Sequence, residues 1–327
     1  MEAKKGRREM KKFELTTEFI TNAFGKKLFR IKALVEFGDV KAGELGGYVE
    51  KEGNVSQAGN AWVYGNARVS GDARVSGNAW VYGNAWVSGN ARVYGDARVY
   101  GDARVYGDAE VYGDAWVSGD ARVYGDAWVS DNAWVYGNAR VYGNAWVYGD
   151  ARVSGNAWVS GNARVYGDAR VYGDARVYGD ARVSGDARVY GDARVYGDAR
   201  VSDNAWVYGN ARVYGDARVY GDARVYGNAE VSGNAEVYGD ARVCGNAWVY
   251  GNADYALVQG FGTEFRCTTF YRGKNKKIMV NCGCFHGDLE EFRKQVKETR
   301  SGKIAKEYLM IADLMEYHFT SEDSSNE

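Results

Sequence analysis

The sequence has no proline among its 327 residues. With a glycine repeat of the wrong period, that excludes a collagen-like triple helix. Four cysteines are too few to make a disulfide scaffold of a chain this long. Histidine is nearly absent, with only His286 and His318. No apolar run approaches the roughly 20 residues that a membrane-spanning helix needs, so an integral membrane protein of that kind is excluded. Neither sign of charge dominates: 42 Lys plus Arg stand against 43 Asp plus Glu, a net charge of −1. That balance excludes a bulk-basic nucleic-acid binder.

What is abundant is a repeat. From Val63 to Val249 a valine stands at every sixth position, 32 times without a break. Four residues after each valine comes alanine, from Ala67 to Ala253. Between them lie glycine and then Asn or Asp, with only Asp131 and Asp203 in place of the glycine. The residue before each valine is Arg 19 times, Trp 10 times and Glu three times, and every tryptophan of the protein sits there.

The residues around each valine alternate inward and outward, as in a strand. Glycine followed by Asn or Asp is corner chemistry, because both tolerate positive φ. A short strand and a corner every six residues build a prism. Three hexapeptides close one coil of 18 residues, with valine filling each flat and alanine packing beside the corner. The pattern predicts about 11 coils. At ~4.8 Å per coil the rod would be roughly 50 Å long.

An aliphatic residue followed four positions later by a small one resembles the hexapeptide rule of left-handed parallel β-helices. The handedness is implied by that resemblance alone, since it runs against the usual right-handed crossover. Upstream, the segment from Arg30-Ile-Lys-Ala-Leu to Ser56-Gln resembles the N-terminal cap of the YdcK family of β-helix proteins. The resemblance implies a fold rather than an activity. The near-perfect repeats here depart from the more degenerate coils expected of that family. A cap is also a physical requirement, because an open solenoid end leaves strand edges unpaired.

The expected fold is therefore mainly β: a left-handed parallel β-helix with an N-terminal β cap and a small C-terminal α+β module. Residues 1–11 read as a disordered basic arm, with Met10 as a second potential start. Residues 12–58 read as the cap, with strands at Phe13-Glu-Leu-Thr and from Lys27 to Leu34. Residues 59–257 are the solenoid. Residues 258–319 read as a β-β-α-α module: strands at 265–272 and 277–285, a helix capped by Asp288 running to Thr299, and a second from Ile304 to Phe319. This module resembles one attached to hexapeptide repeats in phage and prophage proteins. Residues 320–327 read as a disordered acidic tail. The N-terminus has no apolar signal segment, and unpaired thiols indicate a reducing compartment, so a cytoplasmic location is expected.

An enzyme must be weighed. Acyltransferases built on left-handed β-helices use a general-base histidine. The solenoid of this chain has none, carries no inserted loop, and has no coil unlike its neighbours. A zinc hydratase would need three histidines on neighbouring coils. Ice binding would need threonine ladders, and the solenoid has no threonine. Arg, Tyr and Trp could stack bases or sugars. Yet residues 60–253 carry 19 Arg and no Lys against 19 Asp and three Glu, a net charge of −3. That argues against nucleic acid. Taking every third repeat, one face begins Trp62, Trp80, Arg98, Trp116 and the next Arg68, Trp86, Arg104, Arg122. Both residue types occur on each face, so no binding plane is singled out.

Cys267, Cys282, Cys284 and His286 come near each other if their strands pair, and could hold zinc. Against that, Cys-x-Cys puts both thiols on one side of a strand, a placement that suits simple core packing as well, and the usual Cys-x-x-Cys spacing is missing. A Cys267 nucleophile served by His286 lacks any visible oxyanion hole. Cys244 stands where the repeat has Tyr or Ser and reads as incidental, outside the core. The expected function is a non-enzymatic scaffold or spacer without an obligatory cofactor, meeting a protein partner through residues 258–319, as a trimer or a monomer. The alternatives are an acyltransferase-like trimer and a ligand- or nucleic-acid-binding rod.

Overall fold

A computed structural model describes residues 10–262, 266–273 and 276–320. The expected basic arm and acidic tail lie almost wholly outside these residues. The chain divides into two compact units, 1–155 and 156–327.

The first unit holds the cap and 16 repeat strands, most of them an Arg-Val, Trp-Val or Glu-Val pair. The strands form three parallel sheets in which each residue pairs with the one 18 positions on, as Arg98 with Trp116 and Val99 with Val117. The repeat's valines, and its alanines from Ala67 to Ala247, are completely buried. Each corner glycine has positive φ, for example +69° at Gly101. A Cβ on Gly101 would also lie 3.0 Å from the backbone nitrogen of Gly119, one coil on. Conformation and close stacking thus both demand glycine. At Asp131 (φ +55°) the strain is met in part by its own carboxylate, which accepts a hydrogen bond from Gly149 N at 3.1 Å.

The cap is an antiparallel pair, Phe13–Thr21 with Lys27–Ala33, extended by Leu45–Val49. The first two strands are those expected; the third lies in a stretch assigned no element. It runs parallel to Arg68–Val69, so the cap sheet continues directly into one solenoid face. Gly46 and Gly47 make this possible. A Cβ on either would fall 2.6 Å from solenoid backbone oxygen, Val63 O or Ala67 O. Trp62, fully buried, lies edge-on against Phe13 and Phe37 at 5.9 and 5.3 Å. The open end of the first coil is stoppered by Lys12, which is 4% exposed. Its ammonium donates to Gly59 O and Ala61 O at 3.2 and 2.9 Å and lies 4.7 Å from the Phe37 ring centroid.

The second unit holds 16 more repeat strands with the same valine and alanine core. It ends in a four-stranded antiparallel sheet, Tyr255–Phe261, Arg266–Arg272, Ile278–Cys282 and Phe285–Asp288, and two helices. Helix α1 is Leu289–Thr299 and α2 is Gly302–Thr320. Asp288 caps α1 as expected, accepting from Glu291 N at 2.9 Å. The expected return strand at 277–285 is two strands, because Gly283 turns the chain at φ +60°. The sheet's first strand straddles the expected boundary at residue 257. Phe270 and Val280 on one sheet face pack with Phe292, Ile311 and Met315 of the helices into a small core. Arg293 locks α1 to α2, with Glu290, Asp313 and Glu316 oxygens 2.6–2.8 Å from its guanidinium.

Burial pushes the pKa of Lys12 down from 10.5 to about 8. The folded chain then releases this proton at lower pH than the unfolded chain. Stability should therefore rise as pH goes from about 8 toward 10.5, and the contribution should be flat below about 8. Denaturant titrations at pH 7.5 and 9.5 should show the gain in the wild type and lose it in Lys12→Met. An equal gain in the variant would assign it elsewhere.

Candidate functional site

Side chains of each solenoid wall pair chiefly along their own columns. In the first unit Arg98 lies between Trp80 and Trp116, 5.4 and 5.1 Å from their centroids. In the second, Arg188 and Arg224 flank Trp206 at 4.8 Å each. Tyrosine rings stack at 4.9 Å within 4° of parallel, as Tyr82 on Tyr100 and Tyr196 on Tyr214. Where glutamate replaces Arg or Trp, Arg and Tyr of the preceding coil meet it. Glu110 takes Arg92 at 3.4 Å and Tyr94 at 2.9 Å; Glu236 takes Arg218 and Tyr220 at 3.2 and 3.3 Å. Asparagine amides donate to the Asn or Asp one coil on, as Asn78 to Asp96 at 3.0 Å and Asn156 to Asp174 at 3.0 Å. These ladders engage many of the outward groups of the walls with their neighbours one coil away.

The uncommon chemistry lies where the C-terminal sheet covers the last coil. Alternate residues of that sheet face the solenoid: Cys267, Thr269 and Tyr271 on one strand, Asn281 and His286 on the next two. Thr269 Oγ1 accepts from Arg242 N at 3.0 Å, and Asn281 Nδ2 donates to Tyr226 Oη at 3.3 Å and Arg242 O at 3.4 Å. Cys244, Tyr271 and His286 form a triangle. Cys244 Sγ is 3.4 Å from Tyr271 Oη and 3.3 Å from His286 Nδ1, and the latter two are 3.3 Å apart.

Cys244 is therefore not outside the core, as the repeat pattern had suggested; it is 4% exposed. Its position points outward from the wall, but here the module covers the wall. The small thiol leaves room for Tyr271, which is fully buried. Burial raises the pKa of the Tyr271 phenol far above its ordinary value and that of Tyr226 to about 12. Both remain neutral hydrogen-bonding groups at any physiological pH. Gly245 is part of the same fit, since a Cβ there would meet His286 Nε2 at 3.0 Å.

The four residues singled out as potential zinc ligands are dispersed. Cys267 and His286 lie on the solenoid face of the sheet. Cys282 lies on the helix face, opposite Thr268, whose hydroxyl donates to its sulfur at 3.1 Å. Cys284 is exposed in the turn made by Gly283. Among the described residues no three His, Cys, Asp or Glu side chains converge as a metal site would require. Cys267 does not touch His286; its thiol points at Asp240 O, 3.5 Å away. Burial, with the Asp240 carboxylate, pushes its pKa up to about 11. A nucleophilic cysteine needs the opposite shift.

Beyond this geometry, a family model described as the YdcK β-solenoid repeat matches the chain in a series of mostly overlapping segments from residues 61–76 through 217–233, and again at 235–251. The chain belongs to the YdcK β-solenoid repeat family. No curated protein matches it. The family match ends at residue 251, so the cap and the C-terminal sheet stand outside it. The YdcK repeat thus accounts for the walls. Cys244 and Gly245, within its last matched segment, are the repeat's contribution to the junction.

Iodoacetamide at pH 8 should label Cys284 first and Cys244 last, with Cys267 slow because its thiol stays protonated. Peptide mass spectrometry over time reads the order; early labelling of Cys244 would mean that the module does not cover it. Tyr271→Phe should cost about 1 kcal/mol in thermal unfolding, as it deletes a buried hydroxyl shared by two partners.

Proposed function

We propose that the protein is a non-enzymatic scaffold in which the number of coils sets length and the C-terminal module binds a protein partner. The observation that carries the partner reading is an apolar ridge on α2. Met310, Leu314 and Tyr317 are 61, 58 and 71% exposed. Spaced by four and three residues, they share one helix face. Ile311, Ala312, Met315 and Phe319 hold α2 to the sheet by the other. Three large apolar side chains in a row, on a helix already anchored, suit a partner's apolar groove or amphipathic helix. The scaffold reading rests on the uniformity of the walls and on the absence of histidine from every coil.

The four free thiols support a cytoplasmic location. No helix among the described residues is long and apolar enough to cross a membrane. A phage or prophage setting for the module rests on the resemblance of residues 258–319.

The ridge is tested with Met310→Ser, Leu314→Ser and Tyr317→Ser combined. These positions face solvent, so circular dichroism and melting should match the wild type. A partner captured by the wild type, identified and purified, should bind the variant at least about tenfold more weakly. Undiminished binding would overturn the reading. The coil count is tested by deleting residues 97–114, one whole coil in register. The protein should still fold and shorten by ~4.8 Å in small-angle scattering; failure to fold would show that coils are not interchangeable.

A further inference from the structure

The hairpin tip of the cap is built to hold an aromatic ring in water. Asn22, 8% exposed, accepts hydrogen bonds through Oδ1 from Phe24 N and Lys26 N at 2.9 and 3.0 Å. Gly25 closes the turn at φ +76°. Lys26 is tied to Glu50 at 2.8 Å, and the second Glu50 oxygen accepts from Gly71 N at 2.7 Å. The Lys26 cation and that amide hold the Glu50 carboxyl below the usual carboxylate range. The tip is thus fastened to the first coil at its base, yet Phe24 at its apex is 79% exposed. Fixing a phenyl ring in solvent contributes nothing to the core.

Facing it is a hollow of about 450 Å³ in the wall. Its cause is readable in one column. After the valine, this face carries Ser70 and Ser88 in the two coils nearest the hairpin, then Tyr106, Tyr124 and Tyr142. The first two of those tyrosines stack at 4.9 Å. Elsewhere in this unit Ser118 and Ser130 stand singly, each with tyrosine one coil before and one coil after. Two consecutive serines remove two rings from the stack. The hairpin bounds the space on one side and Tyr106 on the other, with the half-buried Trp86 as its floor; the Trp86 indole is held by a hydrogen bond to Ser70 Oγ at 3.2 Å.

The charge in the hollow has one sign left over. Arg104 and Arg122, paired in register one coil apart, both line it. Neither has an ion-pair partner among the described residues. The one carboxylate present, Glu50, is engaged at both oxygens. Two adjacent guanidinium groups without a counter-charge attract an anion and can bind it in a bidentate way. Three aromatic side chains beside them offer stacking and edge contacts to a flat ring. A volume of this size suits a small molecule.

We propose that this hollow binds a small molecule consisting of a flat aromatic ring that carries one anionic group, the ring between Phe24 and Trp86 and the anion on Arg104 and Arg122. A nucleoside monophosphate and an aromatic carboxylate are the two sources of that chemistry. This site is remote in sequence from the α2 ridge and does not depend on the scaffold reading.

Isothermal titration calorimetry on the full chain tests it, with adenosine 5′-monophosphate and indole-3-acetate as probes and adenosine and inorganic phosphate as controls. At least one acid should bind with Kd below about 1 mM, at least tenfold tighter than either control, and more weakly as salt rises. Which acid binds distinguishes the phosphate from the carboxylate source. Arg104→Gln combined with Arg122→Gln should weaken binding at least about tenfold. Ser88→Tyr restores the residue most common in this column and should fold normally while filling the hollow, abolishing binding. Absence of binding by both acids, or binding unchanged by Ser88→Tyr, would overturn the proposal.

Discussion

In a parallel solenoid, each side chain of the wall sits about 4.8 Å from its counterpart one coil away. Whatever occupies a column must tolerate its own near-copy at that distance, on both sides. Valine and alanine do so inside, where the section of the coil leaves room for nothing larger beside the corner. Glycine does so at the corner because a Cβ there would press on the next coil's backbone, as Gly101 would on Gly119. Outside, the same constraint sorts residues by what they can stack on. Tyrosine stacks on tyrosine, and arginine sits over tryptophan. Asparagine donates to the Asn or Asp one coil on, and glutamate occurs where arginine and tyrosine precede it by one coil. The contacts of Arg, Trp and Glu are read between neighbours 18 residues apart rather than between neighbours in sequence.

That constraint explains why so much of the fold could be read from the chain. Period six, with Val and Ala invariant, leaves one arrangement that buries both, so the strands, corners and three faces followed directly. The two cap strands with clear alternation, Phe13–Thr21 and Lys27–Ala33, were equally legible, as was the Asp288 cap of α1. Legibility failed where contacts are unique rather than repeated. Leu45–Val49 carries two glycines, which count against a strand when only propensity is considered. Here they are needed because the solenoid backbone comes within van der Waals contact. At Gly283 a single residue with positive φ split the expected return strand and so scattered the cysteines on either side of it. Cys244 was misread for a related reason. Its outward direction was correctly inferred, but what covers that direction is a sheet contributed by residues 255–288, and no local pattern announces it.

The two non-repeating segments solve one problem in different ways. A coil edge carries donors and acceptors with no next coil to meet them. At the first coil the cap supplies a strand in register on one face, a lysine ammonium against the carbonyls of Gly59 and Ala61, and glycines that let the sheet close in. At the last coils the module supplies side chains instead: Thr269 and Asn281 meet the amide and carbonyl of Arg242, and Tyr271 and His286 meet the thiol of Cys244. Buried polar contacts of this kind are costly if any member is lost. They fix the position of the sheet more narrowly than apolar packing would.

Chemical individuality in this molecule is therefore found where the repeat is interrupted. A wall of matched columns has less to offer a ligand wherever its groups are engaged with the coils beside them. Individual surfaces arise when a column loses its partner. On α2, Met310, Leu314 and Tyr317 lie exposed together while the helix buries its opposite face. Beneath the cap hairpin, Ser70 and Ser88 withdraw two rings from a tyrosine stack, and Arg104 and Arg122 follow without a glutamate or tryptophan between them. Both features come from ordinary residues in positions that the repeat itself permits. Changing one column over two coils thus opens a hollow in the wall while the valine and alanine core beneath it stays the same.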